Sequence, residues 1–409
     1  MTDQIIAGID VGTTKVAVLV AALDADGELT LLGGAQAPMR GMRRGNVVNL
    51  DETAAAVNAA LERAERLCGH RILSAYVGLG GGHLEAENTR GASAINPGGR
   101  EITYQDVARA IESARTGVSL AENRELIHQL PRGYVVDGQD GVTNPIGMSG
   151  FKLEVETHVV TGGVTTIQNL EKVLRQAQVA VEDLVAVPLV SAAAVITPAE
   201  REMGAMVVDI GGGTTSVAIF ADGFPWYTAV LPGGGGAITH GIAAGLRLPL
   251  DVAERLKVEH GHCDPNQVAE DELIELGEES LVIPRAELAR IIQDRARDLV
   301  AHLRAPLVHA QREDRQPWGV VLTGGSAQLP GLAELTARML NLPSRVGRPA
   351  GLRGLADVVS DPGFATAAGL LLWGAGHGEG RGAAAGGGRG PRLGPLATRV
   401  RRLFDSLLP

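Results

Sequence analysis

The same acidic, glycine-rich turn is written into this chain twice, each time between two apolar, β-branched runs, and that repetition points to two related halves facing one ligand. The first copy is Ile6-Ala7-Gly8-Ile9-Asp10-Val11-Gly12-Thr13-Thr14-Lys15-Val16-Ala17-Val18-Leu19-Val20. The second is Val207-Val208-Asp209-Ile210-Gly211-Gly212-Gly213-Thr214-Thr215-Ser216-Val217-Ala218-Ile219-Phe220. Both read as β-hairpins, because Val- and Ile-rich runs on either side of a turn favour paired strands. Glycine lets the turn amides approach a phosphate with no Cβ in the way, and threonine hydroxyls add to those exposed donors. Asp10 and Asp209 each close a strand, where a carboxylate can hold a hydrated Mg2+ beside a phosphate. The two aspartates stand about one domain length apart.

A third glycine turn, Thr323-Gly324-Gly325-Ser326, follows the strand Val320-Val321-Leu322 and opens a helix. In this order the three segments resemble the phosphate-1, phosphate-2 and adenosine motifs of actin, the seventy-kilodalton heat-shock chaperones and the sugar kinases. The resemblance implies an α/β, actin-like ATPase fold of two related RNase H-like domains, with ATP or ADP and Mg2+ between them. The residues it assigns to the cofactor are Asp10, Gly12, Thr13, Thr14, Lys15, Asp209, Gly211, Gly212, Gly213, Thr214, Thr215, Gly324, Gly325 and Ser326. Asp10 and Asp209 are the metal residues, acting through water.

The length of 409 residues and the 45% hydrophobic composition suit two or more domains with substantial cores. Two cysteines, Cys68 and Cys263, are too few for a disulfide framework and fit a reducing compartment. Asp10 and Lys15 interrupt the first apolar stretch, so no signal peptide is expected. No apolar run reaches the roughly 20 residues of a spanning helix. The net charge of −10 argues against general nucleic-acid binding.

Read in order, the first half has a strand at 29–37, a helix capped by Asp51, and a strand at 72–79 ending in Gly80-Gly81-Gly82. The plain alternation then stops. Thr103 is the expected N-cap of a helix at 106–116, and two strands follow with a loop rich in turn formers between them. The run Arg124-Glu125-Leu126-Ile127-His128, then Leu130-Pro131-Arg132, the turn Val136-Asp137-Gly138-Gln139, the loop Asn144-Pro145-Ile146-Gly147-Met148-Ser149-Gly150 and the strand Leu153-Glu154-Val155 are similar to one family's inserted subdomain. That family is FtsA, the bacterial actin homologue of cell division, whose insert, 1C (SHS2-like), replaces one actin subdomain.

The resemblance divides the chain into subdomain 1A at 1–83, insert 1C at 84–161 and the rest of 1A at 162–203. Subdomain 2A follows at 204–240, 2B at 241–303 and the rest of 2A at 304–374. A Gly-rich linker fills 375–391 and a terminal amphipathic helix 392–409. In 2B, Asp251-Val252-Ala253-Glu254-Arg255-Leu256-Lys257 matches the FtsA helix whose Glu and Lys touch the ribose, which assigns Glu254 and Lys257 to the cofactor. Their spacing of three puts both on one helix face.

Two departures bear on hydrolysis. Position 187, just before Pro188, is Val, so no carboxylate or amide beside that proline orients an attacking water. Ser216 stands where relatives often carry Asp. Nucleotide is therefore expected to bind and to turn over slowly. The segment His260-Gly261-His262-Cys263-Asp264 holds common metal ligands, but partners at recognisable spacing are missing and it reads as a loop.

Beyond the linker, Leu396, Val400, Leu403, Phe404, Leu407 and Leu408 fall on one helical face, with Arg399, Arg402 and Asp405 off it. Such a helix could dock on its own domain, bind another protein or lie among anionic lipids. Each basic residue there adds about 1 kcal/mol of attraction to an anionic surface. The FtsA resemblance selects the membrane and assigns Leu396, Arg399, Val400, Arg402, Leu403, Phe404, Leu407 and Leu408 to it. It further implies filaments of the protein with itself, FtsZ's C-terminal tail bound at 2B, later division proteins at 1C, and a place on the cytoplasmic face of the inner membrane at the division site. Nucleic acid is not an expected partner. Two other readings share some of these signals, a pilus-assembly adaptor with an insert of the same design and a small-molecule kinase with the same three motifs.

Overall fold

A computed structural model describes residues 4–95, 99–118, 120–276, 281–312, 315–354 and 360–382. Its two main sheets are built on one plan. In the first, the strands Gln4–Val11, Lys15–Leu23 and Leu29–Pro38 form an antiparallel meander. Ser74–Leu79 and then Ala180–Ala186 add in parallel beside Gln4–Val11. In the second, Ala205–Ile210, Thr214–Ala221 and Phe224–Pro232 form the meander. Gly319–Thr323 and then Ser344–Val346 add in parallel beside Ala205–Ile210. Each duplicated motif therefore lies on the central strand and its antiparallel neighbour, which are mostly apolar and largely buried.

Two helices run between the sheets and join the halves, Val187–Val195 and Ala365–Gly382. One apolar cluster draws Leu19 from the first sheet, Phe220 from the second, Val195 from the first connecting helix and Leu371 from the second. The halves share a core rather than merely touching. The second connecting helix runs to Gly382, so the segment 375–391 read as linker begins helical. Its later residues, and all of 392–409 with the membrane assignments Leu396 to Leu408, lie outside the described residues.

The insert follows Ser74–Leu79. Its sheet runs Glu85–Ala94, Lys152–Gly163, Arg124–Val136, Gln139–Val142, with the helix Tyr104–Thr116 packed against it. Thr103 caps that helix in a reciprocal box with Asp106, and the Arg100 fork also grips Asp106 at 2.8 Å. The insert also leans on the second half. His158 is buried between Asn88 Oδ1 and Thr228 Oγ1, 2.8 Å from each. Burial pushes its imidazole down to about 3, with Arg132 adding to the effect, so the ring is neutral at physiological pH. Beside it the Arg132 guanidinium lies 3.7 Å from the Trp226 ring centroid.

The helix expected from Asp51 spans Leu50–Cys68 and is capped by Asn49, whose side chain accepts from Glu52 N at 3.2 Å. Asp51 instead sits in the first turn, where its charge complements the helix dipole. In the second half the helix Gly235–Leu246 packs on Leu250–His260 and on Arg285–His302, and the last of these also meets the hairpin Leu273–Leu276 with Leu281–Pro284.

Candidate functional site

The two turns close with the same bond. Gly12 N donates to Lys15 O at 3.0 Å, and Gly211 N donates to Thr214 O at 3.0 Å, each from two residues past the aspartate. They face one another at contact distance. A Cβ on Gly212 would collide with the Thr14 side chain, and one on Gly213 would stand 2.7 Å from Thr13 Cγ2. Glycine is required here by the approach of the other turn.

Behind the turns lies a cleft of about 460 Å³, lined from both halves by Asp10, Gly12 to Lys15, Asp209, Gly211, Gly212 and Thr214. The Asp209 carboxylate is near enough to act on Asp10. Burial and the Asp209 charge push Asp10 up to about 7, against the opposing pull of Lys15. Asp209 is raised by burial too, against opposing pulls: Thr366 donates to its Oδ2 at 3.0 Å, and Lys15 and Ser191 also favour its charged form. Two acids facing one lysine leave the cleft short of positive charge, which suits a divalent cation. Among the described residues no group of three or more His, Cys, Asp or Glu could hold a metal directly. The donor set therefore fits a cation carried with its waters and an anionic ligand.

The third turn closes the far wall. Gly324 has φ 83° and a Cβ built on it would lie against Asp209 Oδ1, so any side chain there would meet both backbone strain and that carboxylate. It opens a single 3-10 turn, Gly325–Gln328, rather than a full helix, and the next helix starts at Leu332. Ser326 Oγ reaches Gly211 O at 3.3 Å. Glu254 and Lys257 face the same space, paired at 2.7 Å. Thr239, from the preceding helix, is buried against both, bonding Glu254 Oε2 and lying 3.0 Å from Lys257 Nζ.

Of the residues assigned from sequence, most line this one cleft. Thr215 stands apart: it is buried and its hydroxyl donates to Gly233 O at 2.9 Å, away from the exposed turn amides. Gly213 packs on the facing turn. Val187 lines the cleft as an aliphatic wall. Several lining residues carried no sequence signal, among them Gln36, Gln328, Asp361 and Thr366. The Gln36 Nε2 is buried without a hydrogen-bond partner. Its strand was read only as a strand, and alternation alone does not say which face meets a ligand.

Comparison with known proteins agrees with this architecture. The family model "Cell division protein FtsA" matches residues 206–369 and "SHS2 domain inserted in FTSA" matches 81–161. The cell division protein FtsA of Pseudomonas aeruginosa is 37% identical across 91% of this chain and 90% of its own length. That of Escherichia coli (strain K12) is 33% identical across 91% of each. Among solved structures, the PilM-PilN type IV pilus biogenesis complex aligns with a TM-score of 0.66 at 18% identity, over 90% of this chain and 98% of that one. MreB5 of Spiroplasma citri bound to ADP aligns at 0.53 and 12% identity, over 94% and 99%. At these identities both share the fold alone.

Proposed function

The chain belongs to the FtsA family of cell division proteins, and from that premise we propose that it binds ATP or ADP with a hydrated Mg2+ in the cleft and works as a polymerising membrane adaptor. In this reading it ties FtsZ, through its C-terminal tail at 2B, to the cytoplasmic face of the inner membrane at the division site, and gathers later division proteins at 1C. The observation that carries the nucleotide part is the meeting of the two turns: both aspartates, the lysine and the bare amides of two halves open into one cleft. Glu254 and Lys257 would face the ribose, Gly324 to Ser326 the adenosine, and Gly12 to Lys15 with Gly211 to Thr214 the phosphates. When bound, the cation supplies charge neutralisation between the phosphates and the two acids. Val187 beside Pro188 offers no group to orient a water, so turnover is slow.

A fluorescent ATP analogue titrated onto the purified chain, with and without Mg2+, tests the cofactor. Saturable binding that Mg2+ strengthens is expected, and absence of binding removes the nucleotide reading. Binding to the isolated FtsZ tail peptide tests the partner, since a pilus adaptor of the same fold has no use for that peptide. Vesicle flotation tests the terminal helix: replacing Leu403 and Phe404 together should release the protein from anionic vesicles, and unchanged flotation of the double mutant would refute the membrane assignment.

A further inference from the structure

Thr366 lies where the two halves meet. It opens the second connecting helix and is buried, and its hydroxyl donates to Asp209 Oδ2 at 3.0 Å. Its methyl points the other way, toward the first sheet: a Cβ built on Gly78 would lie 3.1 Å from Thr366 Cγ2 and 3.6 Å from Asp10 Oδ1. Gly78 pairs with Asp10 in the parallel register of that sheet. One side chain thus touches the strand beside one acid and bonds the other acid directly. The second oxygen of Asp209 faces Gly324, which has no side chain, and Ser191 adds a further hydrogen bond to the same carboxylate.

A carboxylate offers about four lone-pair positions. Those taken by the Thr366 and Ser191 hydroxyls restrict how the remainder is aimed, and partners that orient a metal-holding carboxylate change metal affinity by about 10–100-fold when lost. We propose that Thr366 is a positioning residue that sets the orientation of Asp209, and the spacing of Asp209 from Asp10, for a cation held between the two acids.

This inference rests on the nucleotide reading above, and the test separates the two. Thr366→Val keeps the shape and removes the donor, while Thr366→Ser keeps the donor and removes the methyl. Each is titrated with a fluorescent ATP analogue across a range of free Mg2+ and again in excess chelator. Thr366→Val should raise the Mg2+ needed for half-maximal strengthening by about tenfold, weaken binding in chelator by much less than that, and be restored by Thr366→Ser. If both substitutions shift Mg2+ dependence equally, or if affinity in chelator falls in parallel, Thr366 merely packs and the inference is overturned. It is likewise overturned if Thr366→Val matches the unaltered chain. Should the unaltered chain itself show no Mg2+-dependent binding, the cofactor reading fails first and takes this inference with it. Thermal melting of all three proteins without nucleotide confirms that the comparison is among folded chains.

Discussion

The first and second glycine-rich turns share an order of residues and a closing hydrogen bond, yet they are complementary rather than equivalent. The first has one glycine followed by two threonines whose side chains project. The second retreats to three glycines, and Thr14 and Thr13 occupy the room above Gly212 and Gly213. A repeat of identical turns would clash or leave a gap. The aspartates differ in the same manner. Asp209 is held by a hydroxyl, whereas among the described residues Asp10 has no such donor and is shifted chiefly by burial and by its neighbour's charge. One acid is fixed and the other is adjustable.

The largest expected effect breaks the aspartates apart. Asp209→Asn should weaken Mg2+-dependent nucleotide binding by about 100-fold and Asp10→Asn by about tenfold, both measured by fluorescent nucleotide titration. Equal losses would show that the difference in their surroundings has no consequence. Protonation sharpens the contrast further. Asp10 rises from its ordinary 3.8 to about 7 in the folded chain. Between those values the folded state keeps a proton the unfolded state has released, so the stability of the nucleotide-free protein should fall as pH climbs through that window. A cation favours the ionised pair, so Mg2+-nucleotide affinity should grow over the same range and level off above about 7. Asp10→Asn should flatten that slope. In Asp209→Asn the slope should persist at lower pH, because burial, the larger cause, remains.

The contact between turns is tested next, by stability rather than binding. Gly212→Ala places a methyl against Thr14, and overpacking of this kind costs about 1–3 kcal/mol. Adding Thr14→Ala to the same chain should recover most of the loss in denaturant unfolding, a coupling that independent sites would not show. Gly211→Ala, whose Cβ would stand 3.3 Å from Thr214 O, should cost less.

What the sequence made legible divides along the same line. Hairpins and the insert's strands follow from apolar runs and turn residues, which act locally. The pairing of Thr14 with Gly212, or of Thr366 with Asp209, depends on how two distant segments meet, and no local spacing records it. Thr215 illustrates the limit. It belongs to the Thr-Thr pair in both copies, yet in the second it bonds Gly233 on the neighbouring strand and leaves the cleft to Thr214. Thr366 is the converse, a buried helix residue with nothing in its neighbours to mark it as polar machinery. The cap at Asn49 rather than Asp51 is a smaller miss of the same origin, since both residue types cap well and only the path of the chain into the helix decides between them.

The smallest effect belongs to the wall opposite the acids. Thr239 bonds both Glu254 and Lys257, but those two also bond each other at 2.7 Å, and Glu254 is half exposed. Removing the hydroxyl therefore leaves a pair that water and its own contact still hold in place. Thr239→Val should weaken nucleotide binding by about fivefold, matching about 1 kcal/mol for one hydrogen bond. The shape of the Mg2+ titration should not move, since the contacts of this pair are with each other and Thr239 and not with either aspartate. If Thr239→Val did alter Mg2+ dependence, the division of the cleft into an acid-and-phosphate side set by the two turns and a nucleoside side set by the helices of 2B would have to be abandoned.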